Sequence, residues 1–214
     1  MTAPTAAEKA LGKARLEALS DGVFAIAMTL LVLDIKIPEL PHHSPNGEVL
    51  HALAALGPVL VSFTLTFVLT GSFWYMHHVT FHNTKYVTRG VCAINIVFLM
   101  FVSLLPFSTG LLGHLGLQHP IALAVYFGNQ LALGLVLNLH WIFGRRHRLI
   151  ESPVSDPRTR VLIAAHPLGC ILSLATIALS PMLSYYSLVL TLMGARVYAR
   201  RRFKPLPANA PAPL

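Results

Sequence analysis

Six apolar segments alternate with short polar stretches along the chain. They run at about 14–36, 52–76, 91–112, 121–143, 161–180 and 182–199, and a helix needs roughly 20 apolar residues to cross a bilayer. The last segment is the shortest, and it follows the fifth after a tight turn at Pro181, a residue that suits the first turn of a new helix. The pattern predicts an all-α integral membrane protein with six transmembrane helices, and a five-span alternative stays open.

The basic residues are distributed unequally between the two sets of loops. Of the 16 Lys and Arg, only Lys36 lies in the loops of one set, and the other 15 flank the spans on the opposite side. The positive-inside rule makes that side cytoplasmic. Both termini then lie inside, the number of spans is even, and six spans are favoured over five.

The same pattern divides the chain into three parts. Residues 1–13 are predicted to be a cytoplasmic N-terminus, and residues 14–200 a single transmembrane domain. Residues 201–214 contain the Pro- and Ala-rich stretch "PLPANAPAPL" and are predicted to be a disordered cytoplasmic tail.

The composition excludes most functions that belong to soluble proteins. Charged residues make up 11% of the chain and the mean hydropathy is +0.64, whereas a soluble domain has roughly 25% charged residues. The net charge of +8 is explained by the basic residues that flank the spans on the cytoplasmic side, so no nucleic-acid partner is expected. Eight acidic residues, with no Walker loop, GxGxxG or HExxH motif, leave no basis for an enzyme.

The first span carries an apolar stripe and one acid. At 100° per residue, Ile26, Leu30 and Leu33 fall within about 60° of one another, with Thr29 at the edge of the stripe. Such a stripe most often faces lipid or core. Asp21 lies roughly 140° away from it, and an acid inside a span is costly unless it is paired, so it marks a pathway or a structural network.

Asp21 needs a partner that the first helix does not supply. Arg15 is six residues away, which is neither of the spacings that bring side chains together along one helix. Pairing through another helix, or through Ser20, is favoured. Trp74, near the end of the second span, is expected at the same depth.

Histidines follow Trp74 closely. His78 and His82 have the i, i+4 spacing of a metal-binding pair, but no cysteine or acid is near them in the sequence, so no metal site is predicted. A hydrogen-bonding role for His77 or His78 is favoured. A titrating role stays open, because imidazole changes charge near neutral pH.

These residues resemble a known family. Arg15 is followed, after three residues, by "LSDG". This stretch is similar to the RxxxFSD signature of the transmembrane protein 175 family of potassium channels. Leu19 stands where the family has Phe. The stretches "VFAIAMTLLVLDIKIP", "FWYMHH" and "NIVFLMFVSLLPFSTGLL" also resemble the family, and the resemblance extends over all six spans. One set of six spans looks like the bacterial form.

The resemblance implies a homotetramer whose central pore is lined by the first helix, without a re-entrant filter loop. It places the constriction at Ile26, Leu30 and Leu33, and it links Thr29 to selectivity. It also implies a polar network that joins the first two helices: Arg15, Ser20, Asp21 and Trp74, with His77 or His78.

The expected function is therefore a potassium-permeable channel that favours potassium over sodium through a hydrophobic constriction. It is expected in the bacterial plasma membrane, with lipids, potassium ions and its own copies as partners and with no cofactor. Asp34 is either part of a cation-attracting outer ring or a residue of the interface. The alternative function is a proton leak or proton-coupled transporter that uses His77, His78 and Asp21. A non-conducting scaffold is a third class.

Overall fold

The protein is all-helical. The computed structural model describes residues 6–36, 39–151 and 156–203, with side chains from residue 12 onward. In this part of the chain the α-helices are α1 Ala6–Leu30, α2 Asn46–Ala55, α3 Gly57–His82, α4 Arg89–Ser103, α5 Leu105–Leu115, α6 Pro120–Arg146, α7 Pro157–Thr176 and α8 Pro181–Arg202. A 3₁₀ turn, Leu31–Asp34, continues α1.

Five helical segments are long and apolar enough to cross a membrane: Gly12–Asp34, Gly57–His82, Arg89–Leu115, Pro120–Arg146 and Pro157–Thr176. They correspond to the first five predicted spans. The third span consists of two helices, α4 and α5, which meet at Leu104. Pro106 explains the interruption, because proline has no N–H to continue the hydrogen-bond ladder. The protein is therefore a multi-pass membrane protein.

The sixth predicted span corresponds to α8, which is not among these five. α8 has 22 residues, or about 33 Å of helix. Its second half carries Arg196 and three consecutive arginines at residues 200–202, which lowers its average apolarity. α8 packs closely along α7: Gly169 lies against Leu188 and Thr191.

The ends of the domain differ in detail from the prediction. α1 begins at Ala6, so residues 6–13 are helical, and α8 extends to Arg202, two residues into the predicted tail. The rest of the predicted cytoplasmic N-terminus and of the predicted disordered tail falls on residues 1–5 and 204–214. These residues lie outside the described part of the chain. The loop after the first span contains a short helix, α2, that the apolar pattern did not predict.

One face of α1 enters the main core. Leu16, Ser20, Phe24, Ala27 and Leu31 are buried, at spacings of four, four, three and four residues that keep them on one side of a helix. Phe24 and Ala27 pack in the cluster formed with α3, α4, α5, α6 and α7. This packing fixes which face of α1 is left outside.

Candidate pore-lining surface and its polar anchors

The outward face of α1 carries the predicted stripe. Ile26 is 60% exposed, Leu33 68% and Leu30 42%, and Gly22 and Thr29 on the same face are also exposed. These positions lie opposite the face that enters the core. The helix is therefore apolar on both sides, and in the described part of the chain its outer side is left largely uncovered.

Thr29 is the hydroxyl on this face. Its Oγ1 lies 3.0 Å from the carbonyl oxygen of Ala25 and 2.9 Å from that of Ile26. The single hydroxyl proton is therefore shared between two carbonyl groups of the helix, and the lone pairs of the oxygen remain available on the exposed side.

Asp21 is paired with a neighbouring helix. The indole N–H of Trp74 donates to Asp21 Oδ1 at 2.8 Å, on the exposed side of α1 and α3. The sequence left two kinds of partner open for Asp21, another helix or Ser20, and this bond joins it to the second span. The His78 ring stacks on Trp74 with centroids 5.8 Å apart, which extends this exposed group.

A separate, buried network joins α1, α3 and α4. Asn95 Nδ2 donates to Ser20 Oγ at 3.1 Å, and Asn95 Oδ1 lies 2.8 Å from His77 Nε2. Because Asn95 presents its oxygen to His77, the imidazole Nε2 carries the proton and donates it. All three side chains are at most 3% exposed.

The structure thus gives the two histidines different places. His77 is buried, with the rings of Phe24, Phe81 and Phe98 around it, whereas His78 is exposed beside Trp74. The sequence left open which one joins the polar residues of the first helix. The buried bond also depends on Asn95, which is not among the predicted site residues. A lone amide inside the apolar run "NIVFLM" predicts an interhelical hydrogen bond of this kind.

Two predicted site residues lie apart from these groups. Among the described residues, Arg15 forms no hydrogen bond or ion pair, and it is exposed. The carboxylate of Asp34 faces α5 of its own subunit: a Cβ atom on Gly110 would lie 2.7 Å from Asp34 Oδ2. Asp34 Oδ2 is buried and has no hydrogen-bond partner. The outer ring of carboxylates remains a prediction for an assembled channel.

No metal-binding cluster occurs among the described residues, since no three His, Cys, Asp or Glu side chains converge there. His78 and His82 are neighbours, with ring centroids 6.5 Å apart. The site therefore offers two interhelical polar anchors and one apolar surface. Such an arrangement can hold a helix firmly on one side while its other side faces a pathway or another subunit.

The fold and this surface define a class: a multi-pass helical membrane protein whose first helix is anchored by polar bonds and presents an apolar face. The family model of the endosomal/lysosomal potassium channel TMEM175 matches residues 15–106, which include the stripe and both anchors. A curated potassium channel of Streptomyces collinus is 35% identical over 159 residues, covering 72% of this chain and 76% of that protein. The chain belongs to the TMEM175 family of potassium channels, which are ion channels and not enzymes.

Other relatives agree with this membership. A solved structure of a lysosomal potassium-selective channel TMEM175 homolog from Chamaesiphon minutus matches with a TM-score of 0.71 and 30% identity, covering 88% of this chain and 98% of that chain. The human endosomal/lysosomal proton channel TMEM175 is 38% identical over 101 residues, which are 45% of this chain and 20% of the human protein.

Proposed function

We propose that the protein is a potassium-permeable channel that favours potassium over sodium, with its constriction on the outward face of α1 at the axis of a homotetramer. The observation that carries the proposal is the exposure of Ile26, Leu30 and Leu33 on a helix whose opposite face is buried. An apolar face on a helix that is held at its back by the Asn95 bond and at its side by the Trp74 bond suits a pore wall. The permeant potassium ion is the only ligand required.

Four copies of this face around one axis would close a narrow apolar passage. A hydrophobic constriction of this kind gates by dewetting, since a narrow apolar passage holds no water to hydrate an ion. When it widens, selectivity follows from the dehydration cost, which is lower for potassium than for sodium. The Thr29 hydroxyl oxygen is the nearest polar group to the stripe, and its free lone pairs suit it to contact a partly dehydrated cation.

The proposal includes α8 as the sixth span. α8 lies along α7 over its length, and the Ser173 hydroxyl of α7 donates to the Ser184 carbonyl at 2.7 Å. With six spans the basic ends of the helices and both termini lie on one side, the cytoplasmic one. The bacterial relatives support the bacterial plasma membrane as the location.

The test is the reversal potential of purified protein in a planar bilayer under a potassium/sodium bi-ionic gradient. We expect a reversal toward the potassium potential. Ile26→Ser and Leu33→Ser should each raise sodium current relative to potassium, because a hydroxyl at the constriction keeps it wetted.

Matched controls are Ile171→Ser on α7 and Leu190→Ser on α8, whose side chains are 49% and 65% exposed but lie on other helices. These should leave the permeability ratio unchanged. Identical selectivity in Ile26→Ser, Leu33→Ser and the controls would contradict the assignment of the constriction.

A proton pathway is the second candidate function. It is favoured by the identity of the human relative, a proton channel, and by the buried chain of hydrogen bonds from Ser20 through Asn95 to His77. A current that follows only the pH gradient, and that disappears in His77→Gln, would favour this function over potassium conduction.

A further inference from the structure

A cavity of about 510 Å³ lies at the basic end of the helix bundle, and none of its lining residues belongs to α1. Its walls come from the loop after α3, the C-terminal part of α6, the loop after α6 and the start of α7. The side chains that matter to its chemistry are Lys85, Trp141, Arg145, Arg148, Glu151 and Arg160.

Charge in this cavity is unbalanced. Four cationic side chains line it, and Glu151 is the one carboxylate among the lining residues. In the described part of the chain, none of the four cations forms an ion pair. Like charges held together in a partly enclosed space repel one another, so an anion in the cavity would stabilise it.

Two residues that line the cavity carry a buried donor with no partner among the described residues. Trp141 is 2% exposed, and its indole N–H has no hydrogen-bond partner. The guanidinium of Arg160 stacks on the Trp141 ring at 4.4 Å from its centroid, and Arg160 Nη1 is also buried without a partner. Both groups can only donate, so the missing partner is an acceptor.

The walls are held in place by the backbone. Lys85 N donates to the Leu149 carbonyl at 2.8 Å, and Glu151 N donates to the Asn83 carbonyl at 2.8 Å. These bonds tie the loop after α3 to the loop after α6. Arg148 adopts a left-handed backbone conformation with φ of 56°, which is unfavourable for a residue with a Cβ atom. The two backbone bonds thus hold the loops that form these walls against each other.

We propose that this cavity binds a phosphate group. A phosphate is compact, negatively charged and rich in acceptor oxygens, and arginine matches its geometry with paired N–H donors. Two sources supply this chemistry: the headgroup of an anionic phospholipid of the cytoplasmic leaflet, and a soluble phosphate anion. The site contains no residue of α1, so it is distinct from the pore-lining surface.

The experiment titrates the purified full-length protein with pyrophosphate and, separately, with mixed micelles that contain phosphatidylglycerol or only phosphatidylcholine. Tryptophan fluorescence reports binding, and Trp141→Phe should abolish the change because Trp74 lies elsewhere. Arg145→Gln should weaken binding about tenfold, the size of one charge-assisted hydrogen bond.

Arg146→Gln is the matched control. Arg146 is the next residue of α6 and is exposed, but it does not line the cavity, so this change removes the same charge and should leave the affinity almost unchanged. Arg160→Gln, which removes the buried donor, should weaken binding as Arg145→Gln does.

The outcomes separate the sources. Binding of pyrophosphate that is sensitive to Arg145→Gln and not to Arg146→Gln supports a soluble phosphate. The same sensitivity for phosphatidylglycerol micelles alone supports a lipid headgroup. Absence of binding to both probes, or equal loss in Arg145→Gln and Arg146→Gln, would overturn the proposal and leave these arginines as topology residues.

Discussion

At the scale of single residues, adjacent positions of the first helix serve different networks. Ser20 points inward and accepts from Asn95, whereas Asp21 points sideways and accepts from Trp74. One step along a helix turns the side chain by 100°, so neighbours in sequence meet different helices. The "LSDG" stretch therefore fastens α1 both to α4, through the bundle, and to α3, at its surface.

The Asn95 bond gives a prediction about stability. Asn95→Leu should lower the free energy of unfolding by about 1–3 kcal/mol, because the buried N–H of His77 loses its acceptor. The measurement is chemical or thermal unfolding in detergent. Adding His77→Phe should recover part of the loss, since an apolar ring fits among Phe24, Phe81 and Phe98 and needs no partner. A further loss in the double variant would mean that the hydrogen bond is not what Asn95 contributes.

At the scale of elements, the C-terminal end of the first span is fixed by a close approach to α5. A Cβ atom on Gly110 would lie 2.7 Å from Asp34 Oδ2, 2.9 Å from Oδ1 and 3.0 Å from Cγ. Only glycine leaves room for the whole carboxyl group there. The 3₁₀ turn that carries Leu33 is thus positioned through its neighbour Asp34.

This contact predicts that Gly110→Ala displaces the end of the first span. Overpacking of this kind costs about 1–3 kcal/mol, so we expect a lower unfolding temperature in detergent and an altered single-channel conductance. Gly128→Ala on α6, where an added Cβ meets nothing within 4 Å, is the control and should be neutral or slightly stabilising. Combining Gly110→Ala with Asp34→Ala should restore stability; failure to do so would place the clash elsewhere.

At the scale of the whole molecule, no described residue covers the apolar outer face of α1. Lipid and a second copy of the chain are the two environments in which such a face is stable. In the proposed assembly, the outer face of α1 contacts other copies of the chain, and α7 and α8 face lipid.

Covalent trapping distinguishes these environments. In a Cys92→Ser background, Ile26→Cys should form covalent dimers on mild oxidation in the membrane, because symmetry brings equivalent residues together at the axis. Native Cys170 is fully buried and stays inert. Ile171→Cys, on the outside of α7, is the control and should remain monomeric. Equal cross-linking of the two variants would argue for random collisions between subunits.

The sequence by itself determines the helices of this protein, the apolar stripe on the first helix and the family to which the chain belongs. The apolar segments determine the helices, because backbone groups in a bilayer must bond within a segment. The 3.6-residue period places Ile26, Leu30 and Leu33 on one stripe and Asp21 off it. The resemblance at Arg15 and "LSDG" correctly indicates the family.

Only the tertiary structure decides which side of each helix is packed, because helical periodicity relates residues within one helix and contains no distance to another. It separates His77 from His78, directs Asp34 toward Gly110, and brings Asn95 to Ser20 across 75 positions of sequence. It also gathers Lys85, Arg145 and Arg160 into one cavity, where the sequence shows three separate basic stretches. These are long-range contacts, and they depend on how side chains of different helices fill a shared space.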